Sequence, residues 1–301
     1  MTPRYVLELL LLASLWGASF IFMRIGSPEF GPVLFIALRT LTASLFLLPL
    51  VFISKKQAAF TGYKARIFIV GIFNTAIPFV LFSYATLTLS GGLTSVLNAT
   101  TPMFSAIVAY LWFRDKMSFT AALGLFIGFA GVYLLMLDKT ALGQQAILLP
   151  SLAALLASLC YGISANFTKK YLTGISSTVL AAGSQVSATL VLLPISFFFI
   201  PTEIPSGSAI ISVLLLGVLC TGIAYIIFFH LIANLGPARA VSVTYLIPAF
   251  GLFWGSLFLD EVITLNMLIG CGCILTGVAL ATGMLKLSKR KIDKSETTID
   301  F

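Results

Sequence analysis

The chain has 301 residues, 59% of them hydrophobic and 9% charged, with a formal net charge of +8. Soluble domains carry roughly 25% charged residues and need a polar surface, so a mean hydropathy of +1.08 excludes a water-soluble enzyme, a nucleic-acid-binding protein and a disordered chain. Continuous apolar runs near 20 residues suit helices crossing ~30 Å of hydrocarbon; a transmembrane barrel would alternate apolar and polar residues. Ten spans are predicted, at about 5–25, 32–53, 66–88, 92–113, 118–137, 147–168, 176–200, 208–231, 238–259 and 264–285. The first begins like a signal peptide, with Arg4 ahead of a leucine run, but its length and its partner segment later in the chain keep it as a span.

Cytoplasmic loops of membrane proteins carry an excess of Lys and Arg. With the N-terminus inside, the cytoplasmic segments hold Arg4; Lys55, Lys56, Lys64 and Arg66; Arg114 and Lys116; Lys169 and Lys170; Arg239; and Lys286, Lys289, Arg290, Lys291 and Lys294, which is 15 of the 18 basic residues. The outer loops receive Arg24, Lys139 and the acids Glu29, Asp138, Glu203, Asp260 and Glu261. The expectation is N-in and C-in.

Shifted by 146, residues 66–135 align without a gap on 212–281, with twelve identities that include Thr75/Thr221, Pro102/Pro248, Gly124/Gly270 and Gly131/Gly277. A shift of 145 extends the match to Leu47-Leu48-Pro49 with Leu192-Leu193-Pro194, and to Gly17 with Gly162. The chain therefore reads as two five-helix units, 1–137 and 147–285, joined by a linker at 138–146 and followed by a basic tail at 286–301. Five crossings are odd in number, so the second unit enters the membrane from the opposite side. The fold class is an all-α polytopic membrane protein of two inverted five-helix repeats, a construction that secondary transporters use with substrate held where the repeats meet.

Two stretches carry a resemblance: Ser14-Leu15-Trp16-Gly17-Ala18-Ser19-Phe20, and NLGPARAVSVTYLIPAFGLFWGSLFLDE at 234–261. Both resemble the EamA family of the drug/metabolite transporter superfamily, and the likeness spans about 280 residues over both repeats. It implies a ten-helix carrier for small metabolites, often an exporter of amino acids or related compounds in the bacterial inner membrane.

Pro102 and Pro248 fall near the middle of spans four and nine. A mid-helix proline removes the hydrogen bond to the carbonyl four residues back and kinks the helix, here freeing Asn98 and Thr244. Those freed carbonyls must face protein or a wet cavity, so the two spans are expected to bend around a substrate cavity with Asn98 and Thr244 near its wall. A purely structural kink, re-satisfied by a neighbouring hydroxyl, is the alternative. Amides are costly against lipid, which turns Asn74, Asn166 and Gln185 inward. Trp16, Tyr161, Tyr225 and Tyr245 offer flat apolar area with a polar tip, suiting an amphiphilic or aromatic solute; interhelical packing is the competing explanation for each. Tyr84 and His230 occupy equivalent repeat positions near opposite ends of their spans and are candidate gates or interfacial residues.

Arg39 lies roughly 10 Å into the second span at 1.5 Å per residue, where a buried arginine costs on the order of 2.5–3.5 kcal/mol. It therefore pairs, snorkels outward or binds an anionic group such as a substrate carboxylate. Glu8 is near the cytoplasmic end of the first span, and no acid falls near midplane, so proton antiport has no support and a facilitator or exchanger fits equally. Gly124, Gly128 and Gly131, with Gly270 and Gly277, form small-residue stripes on spans five and ten, which are expected to pack together away from the cavity or to support a dimer.

Cys160, Cys220, Cys271 and Cys273 all lie in apolar runs and the only histidine is His230, so neither a metal site nor a Ser-His-Asp set can be assembled. GxxxxGK[ST] is absent, leaving ATP out as the direct energy source. The expected function is alternating-access export of a small amphiphilic metabolite, without catalytic residues or cofactor, with lipids and a small solute as partners and no nucleic acid. An importer or exchanger of a vitamin or nucleotide-like solute is the alternative, and an integral-membrane enzyme is less favoured; monomer and dimer both stand open.

Overall fold

The computed structural model describes residues 2–53, 58–114, 117–137 and 144–285. The linker's residues 138–143, the basic tail from 286, and Lys55, Lys56, Asp115 and Lys116 lie outside them. Among the described residues the regular structure is helical throughout. Nine helices among the described residues are long and apolar enough to cross a membrane: α1 (Pro3–Phe30), α2 (Pro32–Ile53), α3 (Gly62–Ala85), α4 (Gly91–Phe113), α5 (Phe119–Met136), α6 (Ile147–Tyr171), α7 (Ser177–Phe199), α8 (Gly207–Leu235) and α9 (Arg239–Leu259). A tenth, α10 (Leu265–Ala281), is apolar but shorter. Long helices are the expected response to hydrocarbon, which offers the backbone no hydrogen bonds of its own.

Helix starts repeat between the two units. The Ser118 hydroxyl accepts from the Ala121 N–H at the start of α5, and the Thr264 hydroxyl accepts from the Met267 N–H at the start of α10. Each preceding turn is closed by a residue in the left-handed region, Arg114 (φ 55°) and Asp260 (φ 51°), also a matched pair. These short polar turns reverse the chain with few residues.

The repeats meet about a pseudo-two-fold axis. α5 and α10 form the most extensive helix pair, with glycines at the crossing. A Cβ on Gly277 would lie 2.5 Å from the Gly124 carbonyl oxygen, and one on Gly131 would lie 2.8 Å from the Gly270 carbonyl oxygen. Positions ascending along one helix thus meet positions descending along the other, so the pair is antiparallel. Small residues permit this backbone-to-backbone approach.

α2 and α7 are likewise mutual partners, and the equivalent residues Ser44 and Thr189 share a hydrogen bond at 3.4 Å. Cross-contacts obey the same symmetry. Gly71 faces Ser184 and Ser187 of α7, while its counterpart Gly217 faces Arg39 and Thr42 of α2. Equivalent elements that meet antiparallel about one axis make the two units inverted copies.

Two details differ from expectation. α1 runs on to Phe30, so Arg24 and Glu29 belong to its last turns and not to a loop. The helix tolerates them because Arg24 donates to the Thr86 and Leu87 carbonyls at the end of α3, at 2.6 and 2.8 Å. Spans four and nine are also interrupted by a short tight stretch just before the proline, where a bend within a continuous α-helix was expected. α4 stops at Asn98 and restarts at Thr101, and α9 passes through a 3₁₀ stretch at Ser242–Tyr245 before resuming at Ile247. Pro102 and Pro248 then occupy the first turns of the second halves, where a missing N–H costs nothing.

Candidate functional site

The glycines of the first and sixth helices begin the site. A Cβ at Gly17 would fall 2.7 Å from the Phe250 Cβ and 2.9 Å from the Gly251 nitrogen, and one at Gly162 would fall 2.8 Å from the Ser105 nitrogen. α1 and α6 therefore press directly on the resumed halves of α9 and α4. The residues just before the glycines, Trp16 and Tyr161, turn into the protein. The Trp16 ring lies 5.1 Å from Phe228 and 6.4 Å, edge-on, from Tyr225 of α8. Tyr161 sits among Phe79 and Phe82 of α3, at 6.4 and 5.9 Å.

Arg39 of α2 lies between these two aromatic groups. It is 4% exposed. Its guanidinium carbon lies 3.6 Å from the centroid of the Phe79 ring, a cation–π contact that partly replaces lost hydration. Its Nε donates to the Thr221 hydroxyl at 3.1 Å, and that hydroxyl donates in turn to the Leu216 carbonyl. Nη1 is buried without a partner. Tyr161, Tyr225 and Cys220 are close enough to interact with the charge. Among the described residues the carboxylate ion pairs fall elsewhere, and none reaches Arg39.

The polar residues around Arg39 come from irregular backbone. α3 contains a π-helical turn at Ile72–Ala76, and α8 contains one at Val218–Ile223. The turns start at matched repeat positions. π-turns re-aim side chains and are frequent at functional sites. The turn in α8 directs Thr221 at Arg39. The turn in α3 carries Asn74, whose side chain lies near Tyr225 of α8, and Thr75, whose hydroxyl is buried without a partner.

The structure thus brings together Trp16, Arg39, Asn74, Tyr161 and Tyr225, from five helices. Its chemistry is that of one positive charge in an aromatic surround, with hydroxyl and amide groups at its edge.

The remaining candidates lie elsewhere. Asn166 spends its amide on packing: the two hydrogens of its Nδ2 are shared among the Ser105 carbonyl (2.9 Å), the Ser105 hydroxyl (3.1 Å) and the Gly162 carbonyl (2.9 Å). Gln185 is fully buried in α7, with both amide atoms unpartnered. Asn98 and Thr244 sit at the two helix breaks; the Asn98 carbonyl accepts from the Thr101 hydroxyl at 2.8 Å, so a neighbouring hydroxyl re-satisfies it. Tyr245 ties α9 to α10 through Thr282 at 3.1 Å.

Tyr84 is near the end of α3. His230 Nδ1 lies 2.8 Å from the Glu8 carboxylate, which also takes a bond from Arg4. The described residues contain no group of three or more His, Cys, Asp or Glu placed to hold a metal. Sequence reasoning missed Phe79 and Thr221. The identity Thr75/Thr221 was visible in the repeat alignment and marks the π-turns; nothing in the sequence joins Phe79 to Arg39.

It also missed a clamp at the end where α4 begins. The Glu261 carboxylate accepts from the Gly91 and Gly92 N–H groups at 2.7 and 3.0 Å, tying the end of α9 to the first turn of α4. On the same face Glu29 accepts from the Ser206 N–H and hydroxyl, and Ser27 and Ser83 bond at 2.6 Å in full burial.

The EamA-like transporter family matches residues 4–137 and again 148–283, one match for each five-helix unit. The chain belongs to the EamA-like transporter family. An uncharacterized transporter, YoaV, of Bacillus subtilis (strain 168) is 25% identical over 96% of this chain and 99% of its own length. Another from that organism, YdfC, is 28% identical over 93% of this chain and 90% of its own. A probable amino-acid metabolite efflux pump of Escherichia coli (strain K12) is 24% identical over 89% of this chain and 91% of its own. A solved crystal structure shares the fold at a TM-score of 0.64 and 17% identity, over 94% of this chain and 98% of that one. This EamA-family chain is accordingly a multi-pass membrane transporter of two repeats.

Proposed function

We propose that this EamA-family transporter is a secondary carrier that exports a small amphiphilic metabolite, an amino acid or analogue, by alternating access across the inner membrane. The observation that carries this reading is the placement of the polar and aromatic cluster. It draws on helices of both repeats, and Trp16 and Tyr161 adjoin the glycines that press on Phe250 and Ser105, just past Pro248 and Pro102, which supports a site of the kind secondary transporters form where their repeats meet. Inverted repeats can exchange conformations, so one design supplies both access states. The basic residues support an N-in, C-in orientation, which puts the Glu261 clamp on the outer face. The name of the Escherichia coli relative, a probable amino-acid metabolite efflux pump, agrees with outward movement of amino-acid-like solutes.

Counterflow in proteoliposomes of the purified full chain tests the reading, with a panel of amino acids, their analogues and cationic dyes. Saturable exchange of at least one solute is expected. Its direction follows from comparing inside-out with right-side-out vesicles of an overexpressing strain. Absence of solute movement across the whole panel would overturn the proposal.

A further inference from the structure

We infer that Arg39 is the anion-recognising group of the transport site and that the solute is a monocarboxylate with an apolar or aromatic body. The inference rests on the carrier reading above and narrows its substrate class. A guanidinium has five N–H donors and stays charged in proteins. Burying it without a counter-charge is among the costliest arrangements a fold can hold. Arg39 is 4% exposed, and its Nε is used by Thr221 while Nη1 has no partner. Its remaining surround is the Phe79 face and the nearby Tyr161 and Tyr225.

Among the described residues its ion-pairing partner is missing from the protein itself. A ligand that brings the negative charge supplies it. Two further features fix the ligand's chemistry. The other basic residues described lie towards helix ends and loops, so this interior carries one positive charge. One charge matches a carboxylate better than a phosphate ester, whose charge is nearer two at neutral pH. The rings beside the guanidinium are Phe79, Tyr161 and Tyr225, with Trp16 packed edge-on against Tyr225, and together they suit an apolar or aromatic body.

The asymmetry between the repeats supports recognition over architecture. The position equivalent to Arg39 is Ser184, and both carbonyls meet a matched glycine of the opposite repeat, Gly217 and Gly71. The backbone contact is thus made in both repeats, while the guanidinium exists in one. Helix packing does not require it.

The test uses the full chain in proteoliposomes and a panel of L-amino acids and small monocarboxylates, each paired with its carboxamide. Competition in counterflow is the readout. In the wild type, the best carboxylate is expected to compete about ten- to a hundredfold better than its carboxamide, the range of one charge-assisted hydrogen-bonded contact. Arg39→Gln is expected to bring the ratio near one. Arg39→Lys keeps the charge without the planar fork and is expected to fall between. If Arg39→Gln does not fold, the wild-type ratio alone decides. Equal or better competition by carboxamides overturns the inference, as does exchange of neutral or cationic solutes with no carboxylate recognised; either leaves the carrier reading standing. No movement of any solute overturns that reading and the inference with it.

Discussion

Glu261→Gln is the substitution that most directly probes how one end of the transporter is held shut. The native carboxylate accepts two backbone N–H groups at the start of α4, Gly91 at 2.7 Å and Gly92 at 3.0 Å. Both glycines also sit tightly, since a Cβ on Gly91 would lie 2.9 Å from the Ile21 side chain and one on Gly92 2.8 Å from Leu252. The clamp therefore joins α9, α4 and α1 in one place. A glutamine at 261 offers one carbonyl oxygen, enough for one of the two donors, and brings no charge to the helix N-terminus. Helix-capping contacts of this kind contribute about 0.5–2 kcal/mol each, and a charge near the terminus about 0.3–1 kcal/mol. Loss of one bond and the charge thus removes about 1–2 kcal/mol from this conformation, a factor of roughly 5–30 in its population.

The assay is the rate at which a membrane-impermeant thiol reagent modifies Ser95→Cys in a background with the four native cysteines replaced. Ser95 is fully buried and lies directly against Gly251 of α9, so it becomes reachable only when α4 and α9 separate. Glu261→Gln is expected to speed modification about 5–30-fold, and Glu261→Ala more. If the rate changes less than twofold while the protein remains folded, the carboxylate does not hold this end closed.

Three further substitutions, one of them a control, separate packing from binding. Gly277→Ala places a methyl 2.5 Å from the Gly124 carbonyl oxygen and 2.6 Å from the Gly128 nitrogen; both are backbone atoms, so α5 and α10 must part, and a loss of about 1–3 kcal/mol is expected as a lower melting temperature in detergent. Gly272→Ala, which meets nothing within 4 Å, is the control and should leave the melting temperature unchanged or slightly raised. Asn166→Leu removes both amide hydrogens that tie α6 to Ser105 and to its own Gly162 carbonyl. It should cost about 1–3 kcal/mol of stability while the transport KM of the protein that does fold stays at the wild-type value; a raised KM would place Asn166 in the site.

The fold was legible because hydrocarbon imposes one demand, and long apolar runs answer it wherever they occur. The repeat was legible because close approach needs glycine at both Gly124 and Gly277, a requirement that residue identity records directly. Helix ends were less so. The apolar run of α1 gives out near Arg24, yet the helix continues to Phe30, because Arg24 and Glu29 find partners on α3 and on Ser206 that no local pattern announces.

The candidate site divides for a similar reason. A polar residue in an apolar run signals that it needs a partner, not who supplies one. Asn166 and Arg39 give the same signal, and the protein satisfies the first while leaving part of the second open. Phe79 is one phenylalanine among 26, and only its place over Arg39 distinguishes it.

The repeats also show where the two access states cannot be equal. In sequence, the counterparts of Gly91, Gly92 and Glu261 are Pro237, Ala238 and Asp115. Gly91 and Gly92 each present an N–H to the clamp, whereas Pro237 has none. The opposite end can therefore offer at most one of the two equivalent bonds. What it has instead is a contact with no counterpart in the first repeat, His230 of α8 against Glu8 of α1 at 2.8 Å, joined by Arg4. Beside it Trp16, Tyr225, Phe228 and Phe229 remain half-buried. Under alternating access, the two-bond clamp favours the state closed at the Glu261 end, and the equivalent positions at the other end cannot form the same pair of bonds. On the carrier reading proposed above, a solute that binds at Arg39 from the half-buried aromatic side contributes part of the free energy that opens the clamp, because a ligand shifts a two-state equilibrium only by its differential affinity for the two states.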